Sequence, residues 1–115
     1  MKLLTNLIVI LTLVSLTACG PNKRDVSMKI HSDPLGAYAL MQVKYEGNAN
    51  SDWIYLGPTP VTMDKTLILD NAVEVSLKVI RPGFFEQVKS WKPRDFVKEH
   101  SQQNGILWVP NMVKQ

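Results

Sequence analysis

The chain has 115 residues, is 45% hydrophobic and 20% charged, and carries a net charge of +3. That length supports one domain with one core and excludes a two-domain enzyme with an interdomain cleft. Ordinary apolar content and small net charge exclude disorder over most of the chain, and 13 bases interspersed with 10 acids exclude the basic footprint of a nucleic-acid binder.

Met1-Lys2 is a minimal charged start. The apolar run from Leu3 to Leu16 follows, broken only by Thr5, Asn6, Thr12 and Ser15. This is signal-peptide length, short of the ~20 apolar residues that a membrane span needs. It ends in Leu16-Thr17-Ala18-Cys19, which resembles a bacterial lipobox. By that resemblance the cut falls after Ala18, the Cys19 thiol takes diacylglycerol, and the new amino terminus is acylated, typically with palmitate. Cys19 is the only cysteine, so it has no intramolecular disulfide partner. One acyl chain binds only reversibly, and a triacylated Cys19 meets the need for more than one. Gly20 stands where an Asp would favour inner-membrane retention in enterobacterial lipoproteins. The implied place is the outer membrane of a Gram-negative host, facing the periplasm. The expected organisation is a signal peptide over 1–18, a lipidated tether over 19–25 and a domain over 26–115.

Within the domain, Val26 to His31 alternates apolar and polar residues, the pattern of a half-buried strand. Ser32-Asp33-Pro34-Leu35-Gly36 reads as a type I turn, with Pro34 second and Gly36 fourth. Ala37 to Tyr45 is a second strand, with Tyr38, Leu40, Gln42 and Lys44 on one face and the more apolar Ala39, Met41, Val43 and Tyr45 on the other. A loop from Glu46 to Asp52 leads to a third strand, Trp53 to Leu56. Gly57-Pro58-Thr59-Pro60 lacks two backbone donors and is expected as a corner between sheets.

Val61 to Met63 is a short strand, and Asp64 to Asn71 a connection with an apolar centre. Val73 to Val79 alternates without a break, its apolar residues facing inward. Arg81-Pro82-Gly83 turns the chain and Phe84 to Lys89 pairs back. Pro93 at the first helical position opens one or two helical turns that end before Asn104-Gly105. Ile106 to Val109 is a last strand, stopped by Pro110. The expected fold is all-β: a small β-sandwich of six or seven short strands with one short helix near the C-terminus.

Three of these pieces, in order, resemble the PEGA domain family: Ser32-Asp33-Pro34-Leu35-Gly36-Ala37, then Gly57-Pro58-Thr59-Pro60, then the alternating strand ending in Arg81-Pro82-Gly83-Phe84. The resemblance covers about residues 26–90. It implies a small β-sandwich of bacterial envelope proteins that acts as a binding or spacer module, with no catalytic residues.

Catalytic chemistry finds little purchase. His31 and His100 lie on different elements without a third soft ligand, whereas zinc takes three or four. No serine sits in a Gly-x-Ser-x-Gly elbow, and no Gly-rich phosphate loop precedes a lysine. Glu46, Asp52, Glu74 and Glu86 all read as solvent-facing. No catalytic residue, metal or cofactor is expected. The aromatic residues carry the binding candidates: Trp53 and Tyr55 share a strand face beside Asn48 and Asn50. An aromatic shelf next to amides fits a protein hot spot or a stacked sugar. The expected role is a non-catalytic interaction or accessory module for an envelope protein. The alternative is a peptidoglycan or envelope-polysaccharide binding module, and a small envelope enzyme stands third.

Overall fold

The computed structural model describes residues 23–47 and 52–115. The expected signal peptide, Cys19, Asn48 and Asn50 lie outside the described residues. The chain forms strands β1 (Lys23–Ile30), β2 (Tyr38–Tyr45), β3 (Ile54–Pro58), β4 (Val61–Ile68), β5 (Ala72–Ile80) and β6 (Gln87–Trp91), then helix α1 (Pro93–Gln103) and strand β7 (Ile106–Trp108). These make a β-sandwich of a three-stranded sheet, ordered β4-β1-β7, and a four-stranded sheet, ordered β3-β2-β5-β6. All pairs are antiparallel except β1 with β7.

The core follows from alternation. Val26, Met28 and Ile30 of β1 face Ala39, Met41 and Val43 of β2 and Val75, Leu77 and Val79 of β5, all buried. Full burial of one such large side chain contributes about 1.5–3 kcal/mol. α1 closes one end. Pro93 occupies its first turn, where a missing donor costs nothing. Phe96, fully buried, meets Trp91 edge-on with ring centroids 5.4 Å apart. The helix runs three turns, longer than its sequence suggests, and ends at Asn104 in the left-handed region. Gly105 follows at φ 143°, where an added Cβ would stand 3.1 Å from the Ser27 carbonyl oxygen. Glycine is what lets the chain enter β7 flush against β1. His100 Nε2 accepts a hydrogen bond from the Ser27 N–H at 3.1 Å, tying the helix to the same strand.

Several elements depart from the sequence reading. β1 begins at Lys23, so the last three tether residues, Lys23 to Asp25, pair with Ile68, Leu67 and Thr66 of β4. β4 is one eight-residue strand, not a short strand and a connection. Lys65 sits at the inward register opposite Val26, which hides the alternation of Val61, Met63 and Leu67. Val73 is 51% exposed rather than inward, because an irregularity between Lys44 and Tyr45 skips it. β6 starts at Gln87, while Phe84 bridges to Lys114. The Gly36 N–H donates to Thr59 O at 3.2 Å instead of back to Asp33 O, so the expected type I turn is not closed by its hydrogen bond.

The three turn segments singled out in the sequence converge at the end of the sandwich away from Lys23. Ser32 and Thr59, both buried, share a hydroxyl–hydroxyl hydrogen bond. Ser32 also donates to the Pro34 carbonyl at 2.8 Å, and the Ala37 N–H donates to Thr59 Oγ1 at 2.9 Å. Arg81 donates to the Leu35 carbonyl. The Ser32, Thr59 and Ala37 groups satisfy one another out of reach of water, and the exposed Arg81–Leu35 bond ties them to the third motif, so the motifs act as a structural knot. The C-terminal tail seals the same end: the Met112 N–H donates to Asp33 O at 2.8 Å, and the Gln115 N–H to Gly83 O at 2.9 Å.

Candidate functional site

The outward face of the four-stranded sheet carries the residues that folding does not use. Paired residues in antiparallel strands point to the same side. Since Ala39 and Met41 point inward, Leu40 points out, and its partners Tyr55 on β3 and Lys78 on β5 lie beside it. Lys78 in turn pairs with Val88 on β6. The next row holds Pro58, Tyr38 and Ile80. Tyr55 is 55% exposed and Tyr38 45%, with ring centroids 6.2 Å apart at a tilt of 52°. Val88 is exposed as well.

Trp53 belongs to this face but is not a free ring. It is half-buried, and the Lys78 ammonium lies 4.1 Å from its centroid. Such a cation–π contact is worth about 0.5–1 kcal/mol at an exposed site, and it occupies one face of the ring. The structure thus brings Trp53 and Tyr55 to one face, as their spacing requires. It adds Tyr38, whose place beside Tyr55 depends on a register that spacing within one strand does not reveal.

Beyond Tyr38 the face dips into a shallow concavity of about 410 Å³, lined by Ile80, Arg81, Pro82, Phe84 and Glu86. The Arg81 guanidinium lies 5.1 Å from the Phe84 centroid. Toward the other end the face turns polar. Ser76 Oγ contacts Glu74 Oε1 at 3.0 Å and Ser90 Oγ at 2.8 Å, and Lys44 pairs with Glu74 at 3.6 Å.

The remaining candidates disperse. His31 ends β1, its N–H donating to Trp108 O, while His100 is occupied with Ser27. Among the described residues no group of three or more His, Cys, Asp or Glu could hold a metal ion. Glu46, Asp52 and Glu86 are exposed and scattered. Trp91 belongs to the core and Trp108 packs against it. Comparisons with protein-family models, curated proteins and solved structures find no match.

Proposed function

We propose that this chain is a bacterial lipoprotein, anchored through acylated Cys19 on the periplasmic side of an outer membrane, whose PEGA-like sandwich docks an envelope protein without catalysis. The lipobox-like Leu16-Thr17-Ala18-Cys19 supports the anchor. The order of the three turn motifs supports the family reading, and their meeting around Ser32 and Thr59 gives the pattern a physical reason. The docking role rests on one observation: Tyr38 and Tyr55 lie exposed side by side on an open sheet whose core is complete without them. Rigid aromatic side chains on a flat face are the usual anchors of protein interfaces.

The test is in-cell photo-cross-linking from position 55, and separately from position 38, with Cys19 intact. A control photo-cross-linker replaces Thr62, exposed on the other sheet. A discrete protein adduct from 55 and 38, absent from 62 and resistant to muramidase, is expected. Adducts that vanish with muramidase would replace the protein partner with a glycan. Equal labelling from all three positions would remove the site.

A further inference from the structure

At the end of the sandwich opposite the turn knot, the start of β1, the β4–β5 turn and the first turn of α1 enclose an open cavity of about 380 Å³. Lys23, Arg24 and Arg94 line it against a single acid, Asp70, over a floor that includes Leu69 and Val97. Arg24 continues the inward column of Val26, Met28 and Ile30, and its register partner Leu67 is buried; yet Arg24 itself is exposed, because the sandwich is open there. A planar guanidinium on that column, with a second one across the opening, presents the paired donors that bind phosphate oxygens in a fork. The volume lies within the range of small-ligand sites.

The chain itself decides what such a site meets. Cys19 precedes Lys23 by four residues, and a fully extended chain covers about 14 Å over that span. With Cys19 acylated, the cavity cannot leave the headgroup zone by more than a Debye length or two, about 8 Å each at physiological salt. We propose that the Lys23–Arg24–Arg94 cavity binds the phosphate of an anionic phospholipid in the leaflet that holds the acyl chains. This gives the domain a second point of attachment and sets its strands upright on the membrane. The inference rests on the lipoprotein reading of Cys19.

The test uses the acylated full-length chain in vesicles of phosphatidylcholine alone or with 30% phosphatidylglycerol. Because Cys19 is acylated, Glu46→Cys or Val109→Cys introduces a single free thiol for a fluorophore, at the cavity end or the far end. Headgroup-borne quencher should reach the Glu46→Cys probe about two- to threefold more in phosphatidylglycerol vesicles, with the Val109→Cys probe unchanged. Adding Arg24→Gln and Arg94→Gln should abolish the difference while flotation with vesicles and the thermal melt persist. Equal quenching in both vesicles, or no effect of the double substitution, would overturn the site. Inorganic phosphate replacing chloride at constant ionic strength should reduce the difference by competing for the cavity; a difference that it leaves unchanged would assign the effect to general surface charge and overturn the site. Failure to float in either vesicle would overturn the anchor, and this inference with it.

Discussion

The two outward sheet faces differ in what they leave open: the three-stranded sheet has a polar centre flanked by exposed Ile68 and Leu107, and the four-stranded sheet has exposed tyrosines. On the three-stranded sheet, β1 shows Asp25, Ser27 and Lys29, and β4 shows Thr66, Asp64 and Thr62 directly across. These close on themselves: Ser27 Oγ donates to Asp64 Oδ1 at 2.6 Å, and Thr66 Oγ1 to Asp25 Oδ1 at 2.7 Å. On the four-stranded sheet the corresponding rows hold Tyr38, Leu40, Tyr55 and Val88, with the tyrosines left open. One sheet therefore keeps a polar, hydrogen-bonded centre, and the core of the other does not require its exposed tyrosines. The proposed docking surface rests on that exposed pair.

Substitutions can separate the two faces from the core they share. Phe96→Ala should act first and hardest, lowering stability by about 3–5 kcal/mol in chemical denaturation, because its buried ring fills the core against Trp91. Both faces should then lose their distinct behaviour together. Thr59→Val strips the turn knot of the acceptor for Ala37 N–H and the partner of Ser32; a loss of about 2–3 kcal/mol is expected, with Thr59→Ser recovering most of it.

Tyr38→Ala combined with Tyr55→Ala inverts that pattern. Cross-link yield to the partner from position 88, on the same face, should fall at least about tenfold. Stability should fall far less than for Phe96→Ala, by about 0.5–1.5 kcal/mol from the lost tyrosine pair. Asp64→Ala on the opposite face should cost about 0.5–1 kcal/mol through Ser27 and leave the cross-link untouched. Smallest of all, Lys44→Ala should change stability by less than about 0.5 kcal/mol, because its pair with Glu74 is half-exposed and solvent-screened.

What the sequence disclosed follows the same division. β2 and β5 were legible because each alternates strictly, so Ala39, Met41, Val75 and Leu77 fall inward by period alone. The Pro58–Pro60 corner was legible from its missing donors. β4 was not, since Lys65 occupies an inward register and Leu67-Ile68-Leu69 erases the period; the backbone pairing with β1 overrides both. At the site, spacing within β3 sufficed to place Trp53 and Tyr55 on one face. Lys78 over Trp53 and Tyr38 beside Tyr55 arise from neighbours across strands, information that a single chain pattern does not carry. The bond from Ser27 N–H to His100 is hidden for the same reason: the two residues are 73 positions apart.

The placement of β1 has a mechanical consequence. It is the middle strand of its sheet, paired along all eight residues with β4 and, near its far end, with β7. A pull entering at Lys23 runs along the strand, at right angles to the ladder hydrogen bonds, and loads them in parallel instead of peeling them one after another. Tension between a membrane and a partner gripping Tyr55 would pass from β1 into the core in shear, the direction in which a sheet yields last.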